Sequence, residues 1–220
     1  MWQAIRCSAV LFDLDGVLVD SSACIERTWR TWALRHNLDP DRVIALAHGR
    51  RTVETVPLVA PHLVVAEEVA ALAATESTTT EGVYEVPGAR DLLRRLPPNA
   101  WAVVTSGIRV VAALRIRHTG LPMPRVLVCA DEIQRGKPDP EGYLVAAKRL
   151  GRPAAECVVV EDAPAGLEAA RAAGMRAIAV SGTYPATALA IADVVVPRLA
   201  ALRIDTLAGG SSLEIRAAIA

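Results

Sequence analysis

Three aspartates interrupt an apolar segment near the start of the chain, AVLFDLDGVLVDS at residues 9–21. Asp13 and Asp15 stand two residues apart, and this spacing places both side chains on the same side of an extended strand. Ionised carboxylates are costly to bury unless water, a metal or a hydrogen-bonding group accompanies them. The pair therefore predicts a reactive or metal-binding site at a strand end. Asp20 fits the cap of the next helix, or a hinge, as well as it fits a catalytic role.

Other apolar segments also end in polar residues. VTSG places hydroxyl groups and a glycine after the segment that begins at Trp101, RGKPDP carries one of the two lysines of the chain, and CVVVED ends in two acids. Ligands of open α/β sheets bind at the carboxyl ends of the strands. We therefore expect one site to collect these residues beside the first pair: Thr105, Ser106, Gly107, Lys137, Glu161 and Asp162.

This set of residues suits a phosphate group and a hard cation. Carboxylate oxygens are the ligands that Mg²⁺ prefers, and four of the residues supply them. The candidate metal ligands are Asp13, Asp15, Glu161 and Asp162. Hydroxyl and amide groups at Thr105, Ser106 and Gly107 can cradle phosphoryl oxygens. Lys137 is a compact cation that offsets the repulsion between a carboxylate nucleophile and a phosphate dianion.

Four segments resemble the signature motifs of the haloacid dehalogenase-like superfamily: DLDGVLVDS, VTSG, RGKPDP and VVVEDAPAGLEAARAAGM. They occur in the expected order, and the resemblance extends over residues 8–196. It is closest to members that carry a helical cap between the first and second motifs, the group that contains sugar-phosphate phosphatases. The segments IERTW, VPGARDLL and ECVVVEDAPAGLEAA are particularly similar to that group.

The resemblance implies a role for each matching residue. Asp13 would be the nucleophile that forms an aspartyl-phosphate intermediate. Asp15 would protonate the leaving alkoxide and then activate water. Thr105 would bind the transferring phosphoryl group, and Lys137 would steady the nucleophile and the phosphate. The implied Mg²⁺ ligands are Asp13, the backbone carbonyl of Asp15, Glu161 and Asp162.

These roles imply a Mg²⁺-dependent phosphatase for a small phosphorylated sugar or polyol, with phosphoglycolate or glycerol phosphate as alternative substrates. A phosphosugar mutase of this group would carry a cap histidine at the place of Ile25 and a cap lysine, but no lysine lies between residues 21 and 85. A phosphoacceptor signalling module has its acidic motifs in the opposite order and lacks a helical insertion. Arg50 could reach a second anionic group of the substrate, although a solvated position suits Arg50 and Arg51 as well.

Short apolar segments alternate with helical ones along the chain, which predicts an α/β fold with a doubly wound, Rossmann-like parallel sheet. The predicted strands are residues 9–15, 101–105, 126–130, 157–161, 176–180 and 193–196. The predicted helices between them are residues 89–96, 110–118, 141–150 and 165–173. A small β-hairpin is predicted around Gly209–Gly210.

The interval at residues 22–84 breaks this alternation, because it shows helical patterns and no strand pattern. Ile25, Trp29 and Trp32 recur at helical spacing, and Asp39 precedes a proline at the start of a second helix. We predict a core of residues 1–20 and 85–220 with an all-helical cap domain of residues 21–84, joined by hinges at 20–21 and 82–87. The two tryptophans are expected to pack inside the cap.

The composition narrows the possible partners. The formal net charge of zero gives no electrostatic basis for binding nucleic acid or an anionic membrane. No apolar run approaches the roughly 20 residues that span a bilayer, and the first residues lack a signal-peptide pattern. The four cysteines are scattered, which favours reduced thiols. We therefore expect a cytoplasmic protein, monomeric or dimeric, whose partner is a small phosphorylated metabolite.

Overall fold

The computed structural model describes residues 2–207 and 212–218. In chain order, the strands are β1 (Trp2–Cys7), β2 (Ala9–Phe12), β3 (Val19–Asp20), β4 (Tyr84–Glu85), β5 (Trp101–Val104), β6 (Leu127–Val128), β7 (Cys157–Glu161), β8 (Arg176–Val180), β9 (Val194–Val196), β10 (Leu202–Thr206) and β11 (Leu213–Ala218). The α-helices are α1 (Ser22–Arg35), α2 (Pro40–Ala47), α3 (Thr52–Val59), α4 (Val65–Glu76), α5 (Ala89–Arg95), α6 (Arg109–His118), α7 (Glu141–Leu150) and α8 (Pro164–Ala172).

Six strands form a parallel sheet in the order β6-β5-β2-β7-β8-β9. These strands are apolar on both faces because each face is covered, as is usual in parallel sheets. In β2, Val10 and Phe12 belong to one buried cluster and Leu11 belongs to another. The predicted α/β fold with a parallel sheet is confirmed. The four helices predicted between its strands occur as α5–α8, with ends that differ by no more than one residue.

The strand that leads to the aspartates is shorter than predicted. β2 ends at Phe12, whereas the pattern predicted a strand that continues to residue 15. The chain turns just beyond, where Gly16 adopts a φ of 84°, in the left-handed region that favours glycine. Because the strand ends before Asp13, Asp13 and Asp15 do not share a strand face, and each makes different contacts.

Helices α1–α4 follow one another in the chain and share a hydrophobic core of their own. This core includes Trp29, Trp32, Val43, Val56 and Leu72. The two tryptophans stack edge to face, with ring centroids 5.4 Å apart. The expectation that both pack inside the helical segment is therefore confirmed.

Two short strands link the helical segment to the rest of the chain. β3 and β4 pair antiparallel, with Val19 opposite Glu85 and Asp20 opposite Tyr84. This pairing corrects the expectation that residues 22–84 contain no strand, because β4 begins at the last of them. The side chain of Asp20 accepts a hydrogen bond from the N–H of Ser22, the first residue of α1, at 3.3 Å, although the N-cap position itself is Ser21. The division into core and cap domains stays a prediction.

A second sheet, in the order β1-β11-β10, joins the two ends of the chain. β10 and β11 pair antiparallel, as the predicted hairpin requires. The turn at Gly209–Gly210 lies outside the described residues. β1, which the sequence pattern did not predict, pairs with the other edge of β11. Within residues 2–207 and 212–218, no helix has the length and apolar character needed to cross a membrane.

Truncation of Ile215 should destabilise this second sheet. Ile215 lies opposite Ile5 on one side and Ile204 on the other, and its side chain is 0% exposed. Ile215→Ala is expected to lower the free energy of unfolding by about 2–5 kcal/mol, through lost apolar burial and the cavity left behind. Urea denaturation measures this change. Leu34→Ala, at a side chain that is 62% exposed, is the matched control and should change it by less than about 0.5 kcal/mol. Equal losses in both variants would contradict the placement of Ile215 in the core.

Candidate active site

The ends of β2, β5 and β7 meet at one edge of the parallel sheet because these strands are neighbours. Asp13 follows β2, Thr105 follows β5 and Glu161 ends β7. One cavity is lined by eight of the predicted site residues: Asp13, Asp15, Arg50, Thr105, Ser106, Gly107, Glu161 and Asp162. The ninth, Lys137, contacts Asp13 directly. The structure therefore brings all the predicted residues to one place.

Lys137 is a buried cation between two carboxylates. Its Nζ donates to Asp13 Oδ1 and to Glu161 Oε1, each at 2.6 Å, and to the carbonyl of Val104 at 3.3 Å. Burial alone would lower the pKa of Lys137, but the two carboxylates outweigh that effect and raise the pKa well above its usual value. The ammonium group therefore stays charged, and it draws the ends of β2 and β7 together.

Glu161 uses both of its carboxylate oxygens in hydrogen bonds. Oε1 accepts from Lys137 and also from the hydroxyl of Tyr143 at 2.9 Å, while Oε2 accepts from the N–H groups of Asp162 and Ala163. Burial raises the pKa of Glu161, yet Lys137 and these hydrogen bonds together lower it below the ordinary value. A Cβ on Gly166 would lie 1.7 Å from Oε1, so only glycine leaves room for this carboxylate. Tyr143 and Gly166 are absent from the predicted site.

Asp13, Glu161 and Asp162 form a buried acidic cluster whose oxygens lie within 4.8 Å of one another. Burial raises the pKa of Asp13 to about 7, with Lys137 opposing the rise and Glu161 adding to it. Burial, together with Glu161 and Asp13, raises the pKa of Asp162 well above its usual value. Three carboxylates face a single lysine, so negative charge is left over. The all-oxygen donor set and this excess charge fit a divalent metal ion.

Asp15 is held by two donors that share one of its oxygens. The hydroxyl of Ser21 donates to Asp15 Oδ1 at 2.6 Å, and Arg115 Nη1 donates to the same atom at 2.7 Å. The other oxygen, Oδ2, lies 3.5 Å from the hydroxyl of Thr105. Ser21 and Arg115 are missing from the predicted site. The sequence holds a signal for Arg115, since it falls on the apolar, buried face of α6, where an arginine needs a partner.

The loop after β5 holds the predicted phosphate-binding residues. The hydroxyl of Thr105 accepts a hydrogen bond from the N–H of Gly107 at 3.0 Å, which shapes the loop into a turn. Ser106 donates its hydroxyl proton to the carbonyl of Gly49 at 2.9 Å, and so connects this loop to the helical segment. Arg50 is exposed to solvent at the wall of the cavity.

Arg51 makes a second connection between the helical segment and the loops of the sheet. It is 7% exposed, which corrects the solvated interpretation of this residue. Its guanidinium donates to the carbonyls of Ile133 at 3.0 Å and Gln134 at 2.8 Å, and to Glu54 at 2.5 Å. Glu54 in turn accepts from the N–H of Gly136 at 3.0 Å. Arg51 and Glu54, at the start of α3, therefore hold the backbone just before Lys137. Local sequence patterns did not reveal this role.

The order of these residues along the chain and their meeting point match one family, and the chain belongs to it: a model of the haloacid dehalogenase-like hydrolases matches residues 7–174. The chain is 43% identical over 204 residues to hexitol phosphatase A of Escherichia coli K12. The aligned region covers 89% of this chain and 93% of that protein. It is 36% identical over 193 residues to glycerol-1-phosphate phosphohydrolase 2 of Saccharomyces cerevisiae, covering 82% and 77% of the two chains. A solved hydrolase of Pseudomonas syringae has a TM-score of 0.78 at 26% identity, covering 87% and 94%. The predicted family is confirmed.

Removal of the buried ammonium group should cost the protein much of its stability. Lys137→Met leaves the carboxylates of Asp13 and Glu161 buried without their cation, and is expected to lower the free energy of unfolding by about 3–5 kcal/mol. Lys148→Met, at the other lysine of the chain, which is exposed, should change it by less than about 0.5 kcal/mol. Urea denaturation at neutral pH compares the two variants. A Lys137→Met variant as stable as Lys148→Met would contradict the ion-pair assignment.

The acidic cluster predicts a pH-dependent stability in metal-free buffer. The pKa of Asp162 in the folded protein is raised above the value of 3.8 that serves for the unfolded chain. As the pH rises from the unfolded pKa towards the raised folded pKa, unfolding releases a proton from Asp162. The wild type therefore loses stability relative to Asp162→Asn. The difference should grow by up to about 1.4 kcal/mol per pH unit. Urea denaturation with a chelator, from pH 4 upward, measures it.

Thermal denaturation with an added divalent cation provides a second measurement on the acidic cluster. A divalent cation should raise the melting temperature of the wild type more than that of Asp162→Asn, because it binds only the folded site. Parallel stability curves for the two proteins across the pH range would contradict a destabilising charge on Asp162.

Proposed function

We propose that the protein hydrolyses the phosphate ester of a small sugar or polyol phosphate through an aspartyl-phosphate intermediate. The observation that carries this proposal is the different bonding of two aspartates beside one cavity: Asp13 pairs with Lys137, whereas Asp15 keeps one oxygen near Thr105. Membership of the hydrolase family and the phosphatase names of its relatives agree with a phosphoric monoester hydrolase.

The proposed reaction has two halves. In the first, an oxygen of Asp13 forms a bond to phosphorus as the bond to the leaving oxygen breaks, and Asp15 gives a proton to the departing alkoxide. In the second, water attacks phosphorus, Asp15 takes up its proton, and Asp13 leaves as a free carboxylate together with inorganic phosphate. Lys137 offsets the repulsion between Asp13 and the phosphate. The proposed phosphate-binding residues are Thr105, Ser106, Gly107, Lys137 and Arg50.

Mg²⁺ is the proposed cofactor. When bound, it supplies positive charge that neutralises the transferring phosphoryl group. The residues that would hold it are Asp13, the backbone carbonyl of Asp15, Glu161 and Asp162. Carboxylate and carbonyl oxygens are typical of this hard cation. Both oxygens of Glu161 already accept hydrogen bonds, so Asp13 and Asp162 are the acids best placed to coordinate the metal.

The proposed leaving group is small and rich in hydroxyls. The cavity has a volume of about 90 Å³, which suits a small metabolite. The helical segment supplies polar groups to its wall, among them Ser22, His48, Thr52 and Glu76. Such groups can donate to and accept from hydroxyls. The relatives named above are called phosphatases of a hexitol ester and of a glycerol ester.

Other substrates and reactions have less support. Phosphoglycolate would bring a carboxylate into a cavity that already contains Glu76, whereas glycerol phosphate stays a direct alternative to a hexose or hexitol ester. For a mutase, Ile25 lines the cavity where the family resemblance implies a histidine, and no lysine is found among the described residues that line it. A phosphoacceptor signalling module is not supported, since the relatives are enzymes by name.

The proposed location is the cytoplasm. All four cysteines are buried and free: Cys7, Cys24, Cys129 and Cys157. Free thiols are typical of reducing compartments. The proposed partner is a small phosphorylated metabolite bound by a monomer, and the formal net charge of zero supports neither a nucleic acid nor a membrane surface as partner.

Phosphate release from a panel of esters tests this function. The wild type is expected to hydrolyse at least one of hexitol phosphate, hexose phosphate, glycerol phosphate and phosphoglycolate, with Mg²⁺ and not with a chelator. Asp13→Asn should lose at least about 1,000-fold in kcat because the nucleophile is gone. Asp20→Asn, an exposed aspartate of the same segment, is the matched control and should keep wild-type activity. Metal-independent turnover, or an active Asp13→Asn variant, would contradict the mechanism.

A further inference from the structure

Arg115 on α6 is a buried arginine that none of the signature motifs includes. It is 3% exposed and lines the catalytic cavity. A buried guanidinium is costly unless carboxylates pair with it. Among the described residues it forms ion pairs with two acids, Asp15 at 2.7 Å and Glu76 at 3.9 Å. Both acids line the same cavity, so the pairing has a direct relation to the site.

The hydrogen bonds on Asp15 set the direction of its carboxyl group. Arg115 and Ser21 both donate to Oδ1, at 2.7 and 2.6 Å. Two strong donors on one oxygen leave the other, Oδ2, as the atom directed to Thr105 at 3.5 Å. Thr105 is the residue proposed to hold the phosphoryl group. The oxygen that must exchange a proton with the substrate is therefore the one that Arg115 leaves open.

Arg115 also spans the junction between the sheet and the helical segment. Asp15 lies just after the first strand of the sheet, whereas Glu76 is the last residue of α4. Among the described residues, the buried Nε atom of Arg115 has no hydrogen-bond partner, so the guanidinium is not saturated by the contacts they provide. It can therefore share its donors between Asp15 and a group on the opposite wall. Among the described residues, Glu76 is the acid that the helical segment contributes to that wall.

We propose that Arg115 is the positioning residue of Asp15, fixing Oδ1 so that Oδ2 faces the leaving group, and that Glu76 ties this arrangement to the helical segment. The inference rests on the proposed phosphatase function, in which Asp15 donates the proton. Arg115 itself touches no reacting atom. It acts by preventing rotation of the carboxyl group, and Ser21 supports it from the same side.

This role predicts a dependence on the leaving group. Asp15 must protonate an alkoxide, but the 4-nitrophenolate ion departs without a proton. Arg115→Met should therefore lower the rate of phospho-enzyme formation from the best alkyl phosphate of the panel by about 100-fold, the usual contribution of a general acid. A rapid burst of 4-nitrophenolate from 4-nitrophenyl phosphate should survive. The steady-state turnover after the burst should slow, because Asp15 also activates the water that hydrolyses the phospho-enzyme. With 4-nitrophenyl phosphate, KM should fall together with kcat, because formation of the phospho-enzyme is unchanged while its hydrolysis slows.

Rapid-quench and stopped-flow kinetics on three variants measure these rates. Arg115→Lys keeps a cation at the position and should recover part of the lost rate with the alkyl phosphate. Arg117→Met, an exposed arginine on the same helix, is the matched control and should behave as the wild type. Proportional losses on both substrates in Arg115→Met, with no recovery in Arg115→Lys, would show a merely structural role and overturn the proposal.

Glu76→Gln provides a second test that does not require burial of a methionine at position 115. It is expected to reduce alkyl phosphate turnover severalfold and to spare the 4-nitrophenolate burst. In the double variant with Arg115→Met, Glu76→Gln should lower alkyl phosphate turnover by less than about a further twofold, because the two residues act through one contact. Additive losses in the double variant would overturn the proposed tie to the helical segment.

Crystal structures of the wild type, Arg115→Met and Arg115→Lys separate this inference from the proposed function. In Arg115→Met the carboxyl group of Asp15 should rotate away from Thr105, and in Arg115→Lys it should stay. An unchanged Asp15 in Arg115→Met overturns the inference even if the wild type is an active phosphatase. A wild type inactive on every ester would refute the proposed function, while the orientation of Asp15 would still decide whether Arg115 positions it.

Discussion

The whole site depends on one buried charge, the ammonium group of Lys137. Its contacts at 2.6 Å with Asp13 and Glu161 allow two carboxylates to lie in the interior, where an isolated acid would be costly. Tyr143 and two backbone N–H groups complete the shell of Glu161. Asp162 is compensated less fully: burial, Glu161 and Asp13 raise its pKa well above the usual value, although a hydrogen bond with Thr183 and the charge of Lys137 oppose the rise. That imbalance is the physical reason a divalent cation fits beside Asp13, the proposed nucleophile.

The helical segment contributes more than a cover for the cavity. Its Arg51 and Glu54 hold the backbone that leads to Lys137, through the carbonyls of Ile133 and Gln134 and the N–H of Gly136. A hydrogen bond from Ser106 to the backbone of the same segment holds the loop that is proposed to bind phosphate. Movement of the segment would therefore disturb Lys137 and this loop together. Contacts of this kind can couple closure over a substrate to the arrangement of the reacting groups.

Much of the fold follows from local pattern. Apolar runs bounded by helical segments predicted all six parallel strands, because strands covered on both faces must be apolar throughout. The end of β2 was placed too late, since Asp13 and Asp15 alternate as a strand would, although the strand ends at Phe12 and the chain turns at Gly16. β1 was missed because it is half-exposed and lacks the continuous apolar character of the other strands, whereas β3 and β4 have only two residues each. All three are stabilised by partners far along the chain. No local pattern encodes such a partner.

The sequence by itself determined which motif residues meet at the site, because motifs that follow parallel strands share one edge of the sheet whatever the details of packing. Only the tertiary structure decided how those residues are oriented. Arg115 reaches Asp15 across 100 positions of sequence, and Arg51 reaches Gln134 across 83. A long, flexible arginine side chain can point in many directions. Its partner is fixed when the fold buries it beside one particular carboxylate or carbonyl, and this is a property of packing.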